Sequence, residues 1–142
     1  MPSVVFDAST LVGALLKANS TPERALVLAR RHAVICMSRA VEDEIREVFS
    51  RPRFAFAERA GRVTRILDLV MGAADWHAAS ASVRECRDPK DDKYLELALA
   101  AGADIIVSSD DDLLALDPWR GIAIMSPAAF VQMAETWDAS AR

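Results

Sequence analysis

The stretch that most constrains the fold of this chain is 87–116. It begins with an acidic pair, Asp91-Asp92, which favours a helix N-terminus, and the apolar helix that follows is expected to end at Gly102. Residues 104–107 then form a short β-branched segment typical of a strand buried on both faces, and a second acidic segment, 108–112, follows directly. In open α/β sheets ligands bind beyond the carboxyl ends of the strands, so carboxylates at this position suggest a site.

The rest of the chain repeats this alternation of strands and helices. The other segments that predict strands are 3–6, 33–37, 76–79 and 122–125. The other segments that predict helices are 11–16, 20–31, 38–49, 56–72, 113–116 and 126–137. Alternating elements of this kind predict an α/β fold with a mostly parallel sheet and helices on both faces.

Composition limits the chain to one ordinary domain, 1–142, with its core at about 3–133. No apolar run approaches the roughly 20 residues that span a membrane, and the N-terminus lacks the basic region of a signal peptide. A cytoplasmic protein with no membrane partner is therefore expected. Cys36 and Cys86 have no metal-ligand spacing, which predicts reduced, buried thiols.

The net charge of −4 is distributed unevenly along the chain. Residues 24–65 hold ten arginines against five acids, a net of +5, whereas residues 66–142 carry a net of −8. Arginine suits bidentate phosphate contact, although a solvated helix face with internal salt bridges would explain the same pattern. The candidate phosphate-contacting residues are Arg51, Arg53, Arg59, Arg62 and Arg65, of which the last three are expected to share one helical face.

Acidic residues stand at strand and helix ends that a parallel sheet would bring to one edge. They are Asp7, Asp91, Asp110 and Asp112, and Glu44 from the helix after the second strand is the natural fifth. Clustered carboxylates repel one another unless a cation compensates them, and oxygen ligands without histidine or cysteine favour Mg²⁺ or Mn²⁺. The alternative is that these acids only cap helices.

Four segments, in order and spacing, resemble the PIN domain. They are 4–9, 38–54, 87–98 and 106–113. The closest likeness is to the bacterial PIN-family toxins of toxin-antitoxin systems, and it covers residues 3 to about 133. The resemblance implies a PIN-like three-layer α/β/α sandwich with about five mostly parallel strands. It also implies an acidic pocket that binds Mg²⁺ (or Mn²⁺) and hydrolyses RNA.

Roles for individual residues follow from the same resemblance. It implies four catalytic, metal-binding acids: Asp7, Glu44, Asp91 and Asp110. It implies Asp112 as a further metal-binding residue. The supporting residues are the hydroxyls Ser9 and Ser108 and the acid Asp92, which is the alternative to Asp91.

The chain is thus expected to be a metal-dependent endoribonuclease and the toxin of a toxin-antitoxin pair. Its expected partners are an RNA substrate and a cognate antitoxin protein, with Trp137 as a hint of a homodimer. One alternative is a catalytically silent PIN-like module that binds RNA or protein. Another is an acid-phosphatase-like enzyme with Asp7 as nucleophile, but that chemistry wants an acid two residues later, where Ser9 stands.

Overall fold

Five parallel strands form the sheet of the computed structural model, which describes residues 1–140. The strands are β1 (Ser3–Phe6), β2 (Val34–Met37), β3 (Asp75–Trp76), β4 (Ile105–Val107) and β5 (Ala123–Met125). Their order across the sheet is β3-β2-β1-β4-β5, and all four pairings are parallel. The predicted number and direction of the strands are therefore confirmed.

Eight α-helices connect and cover these strands within the described residues. They are α1 (Ala8–Leu16), α2 (Thr21–His32), α3 (Arg39–Phe49), α4 (Ala55–Arg59), α5 (Arg62–Met71), α6 (Asp92–Ala101), α7 (Asp111–Leu114) and α8 (Pro127–Ser140). Short 3₁₀ helices precede α4 and α6, at Pro52–Phe54 and Pro89–Asp91. Helix α6 packs on β1, β2 and β4, while α2 and α5 pack on β2 from the other side and α8 packs on α2. The fold is the predicted three-layer α/β/α sandwich.

The central strands are short and buried on both faces. Each leads within a few residues into a capped helix. Val5 and Ile106, which pair in register, are both 0% exposed. A polar residue within three positions after a strand caps the next helix three times: Asp7 caps α1, Ser38 caps α3 and Asp110 caps α7. Since the strands are parallel, these three polar side chains lie along one edge of the sheet.

The structure corrects the helix predicted over 56–72. Gly61 adopts a left-handed conformation, with φ of +77°, and divides this segment into α4 and α5. Arg59 therefore lies on a different helix from Arg62 and Arg65, and the three do not share one helical face. The predicted strand at 76–79 is also shorter and lies one residue earlier, at Asp75–Trp76.

Three smaller expectations concern the surface and the thiols. Trp137 is half-buried and packs edge-on against Phe130, with ring centroids 5.9 Å apart, so its indole belongs to the margin of the core. Cys36 and Cys86 are free and buried, as predicted. No helix within residues 1–140 is both long enough and apolar enough to cross a membrane.

Candidate active site

Asp7 lies at the centre of the acidic edge and is only 1% exposed. One carboxylate oxygen accepts the backbone N–H of Thr10 at 3.0 Å, which starts α1. The other accepts hydroxyl hydrogen bonds from Ser9 at 2.8 Å and Ser108 at 2.5 Å. Burial raises the pKa of Asp7 despite these hydrogen bonds, since no charged group compensates the loss of water.

Ser108 connects Asp7 to the acid that follows β4. While its hydroxyl donates to Asp7, it accepts the backbone N–H of Asp110 at 2.9 Å. Asp110 in turn caps α7 by accepting the N–H of Leu113 at 3.2 Å. Asp110 therefore caps a helix, as the capping alternative predicts. It also stands beside Asp7 at the candidate site.

Asp91 completes a group of three neighbouring carboxylates. It precedes α6, is half-buried, and lies close enough to Asp110 for its protonated form to donate a hydrogen bond. Partial burial, followed by the charge and hydrogen bond of Asp110 and the charges of Asp88 and Asp7, raises the pKa of Asp91 to about 7. A carboxyl group that resists ionisation near neutral pH marks an excess of negative charge at this point.

Glu44 approaches this group from α3, but its carboxylate is paired within the protein. One oxygen accepts the hydroxyl hydrogen of Tyr94, and the other forms an ion pair with Lys93. The Tyr94 hydroxyl also accepts the backbone N–H of Ala8 at 3.1 Å, and burial raises the pKa of this phenol. Tyr94 thus joins Glu44 to the start of α1, directly beside Asp7.

The adjacent aspartates Asp91 and Asp92 have different surroundings. Asp92 is 8% exposed, and its carboxylate accepts the backbone N–H groups of Glu85 and Cys86 at 3.2 and 2.8 Å. It therefore fastens the preceding segment to α6, while Asp91 faces the other acids. Asp112 lies in the first turn of α7, and no hydrogen bond found within residues 1–140 joins its carboxylate to the group.

The arginines predicted to contact phosphate fall into two sets, and the first is exposed. Arg51 forms an i,i+4 ion pair with Glu47 at 2.9 Å and lines a cleft beside the acids. Arg53 stacks over the ring of Phe54 at 4.6 Å, and Arg59 is exposed on α4. Exposed ion pairs of this kind are weak, so Arg51 is available to another anion.

The second set is bound within the protein. Arg62 donates to Glu23 at 3.1 Å and to the carbonyl of Ala14 at 2.6 Å, and Arg65 donates to the same Glu23 oxygen at 2.8 Å. Burial alone would raise the pKa of Glu23, but these hydrogen bonds outweigh it and lower the pKa to about 2. Arg62 therefore ties α5 to α1 and α2, a structural use that its sequence spacing did not reveal.

Asp91 and Glu44 border an open cleft with a volume of about 740 Å³, whose lining does not include Asp7 or Asp110. Its lining includes Glu44, Asp88, Asp91, Lys90, Lys93 and Arg51. All candidate ligands are oxygen donors, which suits Mg²⁺ or Mn²⁺ in kind. As the side chains stand, no three acidic, histidine or cysteine groups within residues 1–140 are arranged to hold one ion. Glu44 in particular is paired with Lys93 and Tyr94.

Sequence reasoning missed three residues of this site: Asp88, Lys93 and Tyr94. Asp88 caps the 3₁₀ helix before α6 and adds to the charge that acts on Asp91. Lys93 and Tyr94 directly follow the aspartate pair, and Tyr94 is the one tyrosine of the chain. A lone tyrosine on an otherwise aliphatic, buried helix face was the available signal, because a buried phenol needs a hydrogen-bond partner.

The comparisons with known proteins agree with this architecture. The PIN domain family profile matches residues 3–112, and the chain therefore belongs to the PIN domain family, whose members are generally nucleases. The crystal structure of PAE2754 from Pyrobaculum aerophilum is similar, with a TM-score of 0.62 over 95% of this chain and 90% of that one. At 14% identity this likeness shows the fold alone. No curated protein matches the sequence.

Proposed function

We propose that this chain is a metal-dependent endoribonuclease that hydrolyses RNA phosphodiester bonds. The observation that carries the proposal is the group formed by Asp7, Asp91 and Asp110, in which burial raises the pKa of Asp7, and burial together with the neighbouring negative charges raises the pKa of Asp91. Neither of these two acids forms an ion pair with a basic side chain of residues 1–140. A purely structural carboxylate cluster would be costly to keep in this state.

Divalent cations fit this donor set, and Asp7, Asp91 and Asp110 are the residues that would hold them. Glu44 would join after release from Lys93, and Asp112 would assist from the first turn of α7. When bound, Mg²⁺ or Mn²⁺ activates a water and neutralises the charge of the phosphate. Ser9 and Ser108 fix the orientation of the Asp7 carboxylate through their hydroxyl hydrogen bonds.

The exposed arginines would guide the RNA backbone into the cleft. Arg51 lines the cleft beside Asp91, and Arg53 and Arg59 follow it along the same surface segment. Their guanidinium groups can contact phosphates in a bidentate manner. Arg62 is left out of this proposed path, since both of its terminal nitrogens are used by Glu23 and Ala14.

The resemblance to bacterial PIN-family toxins supports a finer proposal: the chain acts as a toxin in the cytoplasm and is held inactive by a small cognate antitoxin protein. Such a partner would cover the acidic cleft, and a homodimer is a compatible assembly. Induced expression in a bacterial host tests the toxin role. Growth arrest by the wild-type chain, absent with Asp7→Asn, supports it, whereas equal growth of both cultures contradicts it.

Cleavage of single-stranded RNA tests the enzymatic proposal. Wild-type protein, Asp7→Asn and the control Asp68→Asn would each be incubated with RNA, with and without Mg²⁺ or Mn²⁺. Asp68 is a suitable control because its side chain is 71% exposed on α5, outside the acidic group. We expect metal-dependent cleavage by wild type and Asp68→Asn and at least about a 100-fold loss in Asp7→Asn. Equal cleavage by all three proteins contradicts the assignment.

The alternative is a catalytically silent PIN-like module that binds RNA or protein. It is favoured by one observation, the ion pair between Lys93 and Glu44, which already compensates one acid without a metal. Thermal unfolding with millimolar Mn²⁺ separates the two functions. Stabilisation by Mn²⁺ supports the nuclease, and an unchanged unfolding temperature together with no cleavage supports the module.

A further inference from the structure

Trp76 is an exposed aromatic side chain outside the acidic group. It ends the edge strand β3 and is 48% exposed. Because β3 is parallel to its neighbours, its carboxyl end lies on the same edge of the sheet as Asp7 and Asp110. A large indole half open to solvent at the ligand-binding edge of an α/β sheet calls for an explanation.

A groove connects Trp76 to the acidic cleft. We call it the Trp76 groove; its lining includes Arg39, Ala40, Trp76, Arg84, Lys93 and Glu96. Two of these residues, Ala40 and Lys93, also line the cleft that contains Glu44 and Asp91. The groove and the cleft are therefore two parts of one continuous depression, with Lys93 at their junction.

The charges of the Trp76 groove differ from those of the acidic cleft. Its two acids are engaged by backbone groups: Glu96 accepts the N–H of Val83 at 3.1 Å, and Asp92 accepts the N–H of Cys86 at 2.8 Å. The basic side chains reach outward, since the Arg39 side chain is 85% exposed and Arg84 is also exposed. This part of the depression suits phosphate groups without a metal ion.

We propose that the Trp76 groove is a binding subsite for single-stranded RNA, in which the Trp76 indole stacks on an unpaired base. Arg39 and Arg84 contact the flanking phosphates, and the strand continues past Lys93 to the acids. The proposal rests on the proposed function, since it supplies the path by which an RNA strand reaches them. Aromatic side chains beside a basic groove bind single strands because every base offers a stacking face.

The test measures the affinity for a fluorescein-labelled single-stranded RNA by fluorescence anisotropy, in an Asp7→Asn background that keeps the strand intact. We expect Trp76→Ala to weaken binding by about 5- to 100-fold and Trp76→Phe to stay within roughly 3-fold, because phenylalanine keeps a stacking face. Leu16→Ala is the matched control. Leu16 is 52% exposed, close to the 48% of Trp76, and ends α1 outside the groove and outside the arginine segment 51–59.

Two further readouts separate stacking from a merely structural effect. Arg84→Ala should reduce the slope of log affinity against log salt by about 0.7, the value for one lost phosphate contact on a single strand, while Trp76→Ala leaves the slope unchanged. RNA should quench tryptophan fluorescence in the parent and not in Trp76→Phe. Binding of duplex RNA should not depend on Trp76, since its bases are already stacked.

Unchanged affinity in Trp76→Ala, or an equal loss in Leu16→Ala, overturns the proposal and leaves Trp76 to a protein partner. Cleavage of RNA by the protein with Asp7 intact shows which idea has failed. If that protein cleaves RNA while Trp76→Ala binds normally, only the subsite is wrong. If it neither binds nor cleaves RNA, the proposed function is wrong and the subsite fails with it.

Discussion

Asp7 and Glu23 are the two most buried carboxylates among residues 1–140, and their surroundings are opposite. Glu23 has two arginines, Arg62 and Arg65, and a backbone N–H, so its pKa is lowered to about 2 although burial opposes ionisation. Asp7 has only two hydroxyls and a backbone N–H, and burial raises its pKa. The buried charge of Glu23, which holds helices together, is therefore compensated by basic side chains. The buried charge of Asp7, at the edge of the sheet, is not.

The same contrast extends to the neighbours of these two residues. Around Glu23 the charges alternate and the helices α1, α2 and α5 are tied together. The charge of Asp7 instead acts, together with those of Asp110 and Asp88, to raise the pKa of the neighbouring Asp91. A cluster of this kind has unfavourable energy in the absence of a cation, and we interpret it as stability given up for a binding function.

The largest effect that we predict is the loss of Arg62. Arg62→Ala leaves Glu23 buried with one arginine and should lower the free energy of unfolding by about 3 to 5 kcal/mol, the usual cost of breaking a buried pair. Urea unfolding measures it. Arg65→Ala is the control, because its side chain is 53% exposed and its loss should cost only about 1 kcal/mol. Equal, small losses in both variants would contradict the structural role given to Arg62.

The second largest predicted effect is the pH-dependent contribution of Glu23 to the free energy of unfolding. The folded-state pKa of Glu23, about 2, is below its ordinary value of 4.5, so the stabilisation is present above pH 4.5 and is lost as the pH falls toward 2. The difference in unfolding free energy between wild type and Glu23→Gln should shrink by about 2 to 3 kcal/mol over this range. A difference that stays constant from pH 5 to about pH 2 would remove the basis of the comparison.

A smaller effect of opposite sign is expected at the acidic edge. Asp91→Asn removes one of the repelling carboxylates, so the metal-free protein should be more stable than wild type by about 1 kcal/mol at neutral pH. Thermal unfolding in the presence of EDTA measures it, with Asp111→Asn, an exposed acid in α7, as the control. Destabilisation by Asp91→Asn would mean that the cluster is structural after all.

The smallest effect concerns Lys93, which neutralises Glu44 in the metal-free protein. Lys93→Met should free Glu44 and increase the affinity for Mn²⁺ by about 3- to 10-fold in a calorimetric titration. Lys90→Met is the matched control, because Lys90 lines the same cleft. If both substitutions change the affinity equally, the effect comes from the general field of the cleft and not from the pairing with Glu44.

The fold was predictable because its elements depend on local signals. The apolar runs at β1, β2, β4 and β5 and the caps at Ser38 and Asp110 are all visible in the sequence. The division at Gly61 was missed because the apolar pattern of 56–72 continues across this glycine, whose left-handed conformation separates α4 from α5. Local patterns also cannot show contacts between distant residues, and this is why the pairing of Arg62 with Glu23 escaped prediction.

The candidate site was predictable in part for the same reason. Asp7, Asp91 and Asp110 stand at strand and helix ends, which parallel strands bring to one edge. The contacts of Glu44 with Lys93 and Tyr94 join residues about fifty positions apart, and nothing in the sequence indicates that pairing. The separate use of Asp91 and Asp92 likewise depends on where the backbone of residues 85 and 86 passes.

The most direct test of the contrast is the change in unfolding temperature caused by Mn²⁺ in three proteins: wild type, Asp91→Asn and Glu23→Gln. We predict that Mn²⁺ at about 100 times its dissociation constant increases the free energy of unfolding of wild type and Glu23→Gln alike, by about 2.7 kcal/mol, and so raises their unfolding temperatures. It should have little effect on Asp91→Asn. An equal shift in Asp91→Asn and wild type, or none in wild type, would contradict the claim that the uncompensated acids form a cation site.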